Sequence, residues 1–288
     1  MAHDTFQAGE LTAVIGDNEA YGGRRSGYNG VHRLVHRRLP EVSLFGLAGL
    51  NFEHIFDGDQ DLRDLETRER RIFFEPRHAP MEFRKLSETE AELYQPPTPT
   101  FFLESWTRFR LVPPHFVDFE FRCKPYQHAF RNGYIGLFWA SYINAPENKS
   151  IYFRDGEGWV QLCTQAHNVM STVRHRDDRV ELKFLPGAPP TLYQSYSVLR
   201  FEEPLFYGHF RDLLFVLMFD RAEGIRLAHS PSSGGRPSFP NPAWDFQYIL
   251  PRYEVLREYG FRARAAYRER CGRDEILAEY ESWRRSLK

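Results

Sequence analysis

Three stretches of the chain carry polar side chains at every second position, where an extended backbone would place them on one face. In residues 159–167, Gln161, Cys163, Gln165 and His167 share a face, and Leu162 and Ala166 point the other way. In residues 205–211, Tyr207, His209 and Arg211 share a face. In residues 243–249, Asp245 and Gln247 share a face, with Trp244, Phe246 and Tyr248 opposite. A half-solvated antiparallel sheet also produces polar stripes. The residue types here differ from the Lys, Glu and Thr of a plain solvated face. Amide, imidazole, guanidinium and carboxyl groups bind neighbouring hydroxyls through planar, paired hydrogen bonds. The expectation is that the stripes meet in one cleft able to hold a polyol.

Acid/base work at neutral pH falls first to histidine, whose reference pKa of about 6.5 suits it. His209 and His229 lie in successive expected strands and could converge, with Glu53 or Asp245 as the carboxylate partner. His54 follows Glu53 directly, and neighbours in a regular strand face oppositely, so no Glu53–His54 pair is expected. Arg131, Arg211, Gln165 and Gln247 are candidates for holding hydroxyl or carboxylate groups, together with His167 and Tyr207. Asn144 and Lys149 stand where the expected strand over 134–143 runs into a loop, the kind of place where function collects. Trp139 and Trp244 are possible stacking platforms for a sugar ring, although alternation can bury them instead. The Ser-rich loop that starts at Ser230, beside His229, could fold over such a cleft.

Other chemistries find less support. His32 and His36 have helical zinc-motif spacing, but Arg33 follows the first histidine and the segment reads as strand, so no zinc site is expected. Asp57, Asp59 and Asp61 start with calcium-loop spacing, then miss the glycine and the closing glutamate; whether they hold calcium stays open. No phosphate loop, dinucleotide fingerprint or nucleophile elbow is present, so no cofactor is expected.

Composition narrows the class further. The 288 residues are 42% hydrophobic, enough for a substantial core. The net charge of −1, from 38 basic and 39 acidic residues, offers no electrostatic case for nucleic acid. Three scattered cysteines, Cys123, Cys163 and Cys271, make no disulfide framework and point to a reducing, cytoplasmic setting. The first ten residues lack a signal-peptide pattern, and apolar runs are too short to span a bilayer, so no membrane partner is expected. Aromatic content of 16% favours pleated, half-buried strands.

Gly and Pro punctuate short alternating runs throughout, which predicts many strands joined by turns. Strands are expected over 11–15, 31–37, part of 44–55, 81–86, 91–94, 105–112, 116–123, 134–143, 150–153, 159–166, 180–184, 205–219, 224–228, 243–250 and 259–268. The run 205–219 is long enough to need a bend or bulge. Only the tail, about 273–286, reads as helix, with Ile276, Leu277, Tyr280 and Trp283 near one face. The absence of any βαβ rhythm implies an all-β, single-domain, antiparallel sandwich across 1–288, capped by that helix.

The size, strand order and single late helix resemble the galactose mutarotase-like β-supersandwich group. The segments Gly27-Tyr28-Asn29-Gly30, Gly49-Leu50-Asn51-Phe52-Glu53-His54 and Asn132-Gly133-Tyr134-Ile135-Gly136 are similar to a bacterial family of unassigned function related to that group. The resemblance implies a large antiparallel sandwich acting on carbohydrate. The epimerase His and Glu motifs have no residue-by-residue counterpart, so no catalytic position is carried over. The expected function is acid/base chemistry on a sugar or sugar acid, of the isomerase/epimerase or lyase type; the alternative is a non-catalytic carbohydrate-binding protein of the same fold. The expected partner is a carbohydrate, and nothing in the chain sets an oligomeric state. Far-ultraviolet circular dichroism should report sheet with one helical tail, and a helix content above about a quarter would reject this architecture.

Overall fold

A computed structural model describes residues 2–23, 25–59, 72–156, 158–187, 191–232 and 240–287. Two sheets form the sandwich. The larger has nine strands in the order β11 (Gly158–Leu162), β10 (Ile151–Asp155), β14 (Leu205–Phe210), β15 (Leu213–Phe219), β18 (Tyr259–Glu269), β8 (Phe116–Pro125), β7 (Leu103–Val112), β6 (Glu90–Gln95) and β5 (Glu82–Lys85). The smaller has six, in the order β13 (Tyr196–Phe201), β12 (Thr172–His175), β16 (Ile225–Ser230), β17 (Ala243–Leu250), β9 (Ile135–Ala140) and β4 (Asn51–Phe56). A separate three-stranded sheet holds β1 (His3–Ala8), β2 (Leu11–Gly16) and β3 (Gly30–His36). Every pairing is antiparallel except β12 with β13, which run parallel.

Aromatic rings from the two large sheets interlock to make the core. Trp139 of β9 stacks on Phe246 of β17 at 4.9 Å and meets the edge of Phe121 of β8 at 4.7 Å. Phe52 stacks on the same indole at 4.9 Å. Trp244 is fully buried facing Phe215, and its indole N–H donates to the Lys149 carbonyl at 2.8 Å. The two tryptophans proposed as sugar platforms are therefore core residues. Alternation along β9 and β17 turns both indoles inward, between the sheets. The Trp244 ring fits because β14 carries Gly208 opposite it: a Cβ there would stand 2.2 Å from the indole.

His229 shares that inward face. Its Nε2–H donates to the Lys149 carbonyl at 2.8 Å, and its Nδ1 lies 2.8 Å from the Thr164 hydroxyl. Both nitrogens are satisfied in the neutral ring, and burial pushes the imidazole down to about 4. His229 is thus an interlayer residue, not the proton carrier of a cleft.

The run 205–219 is a hairpin, not one bent strand. Phe210 pairs with Leu213 across a two-residue turn, where Arg211 takes the left-handed conformation at φ 53°. This turn sends Tyr207 and His209 to the outer face of the large sheet. There the C-terminal helix, Arg273–Ser286, lays Ile276, Tyr280 and Trp283 over Leu214, Val216, Met218 and Ala266. The helix matches its expected bounds, and its apolar positions fall at intervals of four and three residues. The rest of that outer face is a lattice of opposite charges. In one cross-strand row Arg84, Glu92, Arg108, Glu120 and Arg262 alternate in sign.

Elsewhere the expected strand at 180–184 is irregular chain packed over the small sheet's outer face, and that at 159–166 ends at Leu162. Strands β1, β12 and β13 were not expected; β12 and β13 are short or polar, and their pairing depends on distant partners. No helix among the described residues is long and apolar enough to cross a membrane.

Two measurements follow. Trp139→Ala should lower unfolding free energy by about 3–5 kcal/mol, the usual cost of deleting a buried indole, in urea titrations. For His229, the folded-state pKa lies below the unfolded value, so its contribution is present above about 6.5 and is lost as pH falls. Between pH 6.5 and 4 it should remove about 3 kcal/mol, from a shift of that size. Imidazole NMR should find the His229 ring neutral and Nε2-protonated at pH 5; protonation near pH 6.5 would contradict the assignment.

Candidate functional site

The small sheet's other face is not solvated. Strands β4, β9, β16 and β17 are buried along their whole length, so both of their faces are covered. On the face away from the core lies a cavity of about 350 Å³. Its floor comes from Phe138 and Ala140 of β9, Ala243 and Asp245 of β17, and Glu53 and His54 of β4. The short helical segment after Ile72 contributes Phe73 and Phe74, and the loops around 167 and 192 supply the remaining walls.

Glu53 and His54 stand side by side because β4 is bulged. Phe52 pairs with Trp139 and His54 pairs with Phe138, so one residue of β4 has no place on β9. Alternation breaks there, and Asn51, Glu53, His54 and Phe56 all serve the outer face, while Phe52 and Ile55 stay in the core. In an unbulged strand, His54 would point into the core beside Phe52.

β4 is an edge strand, and a side chain supplies the missing neighbour. Asn29 Nδ2 donates to the Phe52 carbonyl at 2.8 Å, and Asn29 Oδ1 accepts from the Phe52 N–H at 2.9 Å. The Asn29 N–H in turn donates to Asn51 Oδ1 at 3.0 Å. The two segments noted in the sequence, 27–30 and 49–54, are therefore one structural unit. Gly30 completes it at φ 86°, where a Cβ would stand 2.6 Å from the Leu50 carbonyl oxygen.

Glu53 is buried and fully engaged. The Tyr142 hydroxyl lies 2.8 and 2.7 Å from its two oxygens, Arg77 Nη1 donates at 2.8 Å, and Asn51 Nδ2 donates at 3.2 Å. Burial pushes its carboxyl up, and Arg77, Tyr142 and Asn51 pull against that rise. His54 Nε2 lies 3.8 Å from Glu53 Oε1. The His54 ring stacks on Phe138 at 4.9 Å, takes the edges of Phe73 and Phe74, and contacts the Tyr193 hydroxyl through Nδ1.

Asp245 is differently placed. Its Oδ1 accepts the Ser141 N–H at 3.0 Å, and no other hydrogen bond reaches it among the described residues. It is 2% exposed. Burial pushes it well above the ordinary carboxylate range; the Ser141 amide opposes the rise and the nearby Glu53 adds to it. Across the cavity, His167 Nδ1 lies 3.2 Å from Ser230 Oγ, and burial lowers its pKa.

Of the residues nominated from the sequence, Glu53, Asp245 and His167 line this cavity. Gln247 shares the Asp245 face but donates to Thr172 Oγ1 at 2.8 Å, outside the lining. Tyr207, His209 and Arg211 do not join them. Tyr207 accepts from Arg273 Nε at 2.9 Å beneath the C-terminal helix, and His209 packs edge-on against Tyr152 and Tyr207. Arg211 sits in the turn, 3.8 Å from Glu147. Gln165 is exposed on a loop, because β11 has already ended. Asn144 donates to the Ser43 carbonyl, Lys149 to the Pro231 carbonyl, and the Arg131 N–H to Asp57 Oδ2. None of these three lines the cavity. Asp57 also accepts the Asp59 N–H, and Asp61 lies outside the described residues. Among the described residues no group of three His, Cys, Asp or Glu side chains could hold a metal ion. Sequence reasoning missed His54, whose face depends on the bulge, Tyr142, which lies past the end of β9 at Ala140, and Tyr193, which lies in a loop.

No protein-family profile matches the chain, and no curated protein is significantly similar to it in sequence. Solved structures are similar in fold. A putative aldose 1-epimerase from Escherichia coli superposes over 93% of this chain and 99% of its own, with TM-score 0.52 and 8% identity. A protein from Synechocystis sp. superposes over 93% and 96%, with TM-score 0.51 and 10% identity. A galactose mutarotase related enzyme from Lactobacillus acidophilus covers 93% and 100%, with TM-score 0.47 and 10% identity. At such identities the likeness is one of architecture. The chain shares the overall fold of these structures, a mostly antiparallel sandwich of the galactose mutarotase-like kind.

Proposed function

We propose that the protein is carbohydrate-active and performs acid/base chemistry on a sugar or sugar acid, of the isomerase/epimerase or lyase type. The observation that carries this reading is the bulge that sets Glu53 and His54 together on the wall of an aromatic-lined cavity. His54 is the proton carrier. The Tyr193 hydroxyl contacts its Nδ1, and Glu53, 3.8 Å from its Nε2, stabilises the imidazolium that forms. This replaces His209 and His229, which lie elsewhere in the fold. Glu53 keeps the role of carboxylate partner.

The remaining lining suits a sugar ring. Phe73, Phe74, Phe138 and Leu192 offer an apolar wall for the C–H face. Asp245, His167, Asn168, Ser230 and Ser232 offer hydrogen bonds to hydroxyls. The fold's likeness to the putative aldose 1-epimerase supports the same substrate class. Three free thiols, one of them the exposed Cys163, support a reducing, cytoplasmic setting as part of this proposal.

One observation favours the second reading, a binding protein without catalysis. Both Glu53 oxygens are already occupied by Tyr142, Arg77 and Asn51, as in a structural carboxylate. Turnover separates the two. Anomer and epimer exchange followed by NMR, and unsaturated product followed by absorbance, should reveal activity on at least one sugar. His54→Asn should then lower kcat by about 10²–10⁴-fold with little change in KM. Activity within about threefold of the parent would remove His54 from the mechanism, and binding with no turnover would establish the second reading.

A further inference from the structure

We propose that the ligand this cavity prefers carries a free amino group, an aminohexose whose ammonium pairs with Asp245. This inference rests on the reading of the cavity as a sugar site and narrows it. The described lining holds two carboxyl groups and two imidazoles, with no lysine or arginine. The two carboxyls differ in their surroundings. Glu53 has Arg77 at 2.8 Å and three further hydrogen bonds. Asp245 has the Ser141 amide on Oδ1 and, among the described residues, no cation and no partner for Oδ2.

Burial to 2% exposure without a counter-charge shifts this carboxyl toward its protonated form when no ligand is bound. A ligand ammonium supplies the missing charge. On binding, the Asp245 O–H bond breaks and its proton passes to buffer. The carboxylate then accepts a charge-assisted hydrogen bond from the ligand, which keeps its three N–H bonds. The neighbouring Ser230, Ser232 and Thr191 hydroxyls remain for the ring oxygens. A uronate or sugar phosphate would instead bring a second anion against Glu53 and Asp245. The volume of about 350 Å³ is at the small end of ligand cavities, which suits a single ring over a chain.

Calorimetric titration of the full chain with matched sugars tests this. Glucosamine, galactosamine and mannosamine are compared with glucose, galactose and mannose, and with glucuronate and galacturonate. At least one aminohexose should bind about ten- to a hundredfold more tightly than its parent hexose. Titrations in buffers of different ionisation enthalpy should show about one proton released per ligand. Asp245→Asn, which keeps an acceptor for the Ser141 amide, should bring the amine-to-hydroxyl affinity ratio close to one. A parent hexose or uronate binding as tightly as every aminohexose, or aminohexose binding with no proton release, overturns the amine assignment and leaves the sugar site standing. Failure of every sugar to bind at millimolar concentration overturns the sugar-site reading and this inference with it.

Discussion

Strand β4 places three residues, Phe52, Glu53 and His54, where β9 offers two positions, and most of the site depends on that surplus. A bulge on a sheet edge must find other partners for the backbone groups it displaces. Here the Asn29 amide takes both polar groups of Phe52, in the manner of one more strand. The bulge sends Phe52 toward Trp139 in the core and His54 onto Phe138 on the opposite face. It also lets Phe56 lie against Gly136, where a Cβ would stand 2.4 Å from the ring. A single irregularity thus joins core packing to the composition of the cavity wall.

The six-stranded sheet has to cover two faces, and it covers them differently. The inner face is apolar; among its polar groups the Trp244 indole N–H and both His229 nitrogens find partners within the protein, and the Trp139 indole N–H has none among the described residues. The outer face is covered by chain that is held by polar contacts. Arg226, 1% exposed, binds Asp178 at 2.7 Å and the Val180 carbonyl at 2.6 Å. Asn132 and Tyr134 reach the Lys183 carbonyl. These contacts draw the segment around 178–184 over one end of the sheet, and they leave the cavity at the other end. A buried ion pair of this kind contributes little net stability, yet losing one partner is costly, so it acts chiefly to hold the roof in place.

Charge divides the cavity along the same lines. Glu53 belongs to a closed network in which each oxygen is engaged, and that network also locks the short helix of Arg77 to the loop carrying Gly27, whose carbonyl accepts from Arg77 Nε at 2.5 Å. Asp245 is anchored by one amide and otherwise faces the cavity. Two carboxyls on the same sheet, one on β4 and one on β17 with β9 between them, therefore have different work. One organises the wall, and the other is available to whatever enters.

Local pattern was sufficient for several features. Alternation and turn residues made the chain legible as an antiparallel sandwich, the 3.6-residue period located the C-terminal helix, and period two placed Asp245 and Gln247 on one face of β17. The face of Trp244 was implicit in the same rule, since it alternates with Asp245 and Gln247, whereas Trp139 stands in a wholly apolar run. What local pattern could not reach was everything that depends on distant partners. Residues 205–211 and 243–249 have equally plausible polar stripes, but β14 belongs to one sheet and β17 to the other, so their polar faces point to opposite sides of the molecule. The parallel β12–β13 pair and the bulge at Glu53 are likewise settled by register with strands elsewhere in the chain. Sequence by itself determined which residues share a face within each strand. Tertiary structure decided which faces meet, and where the alternation fails, because a strand's register is set by the hydrogen bonds and packing of neighbours the local sequence does not contain.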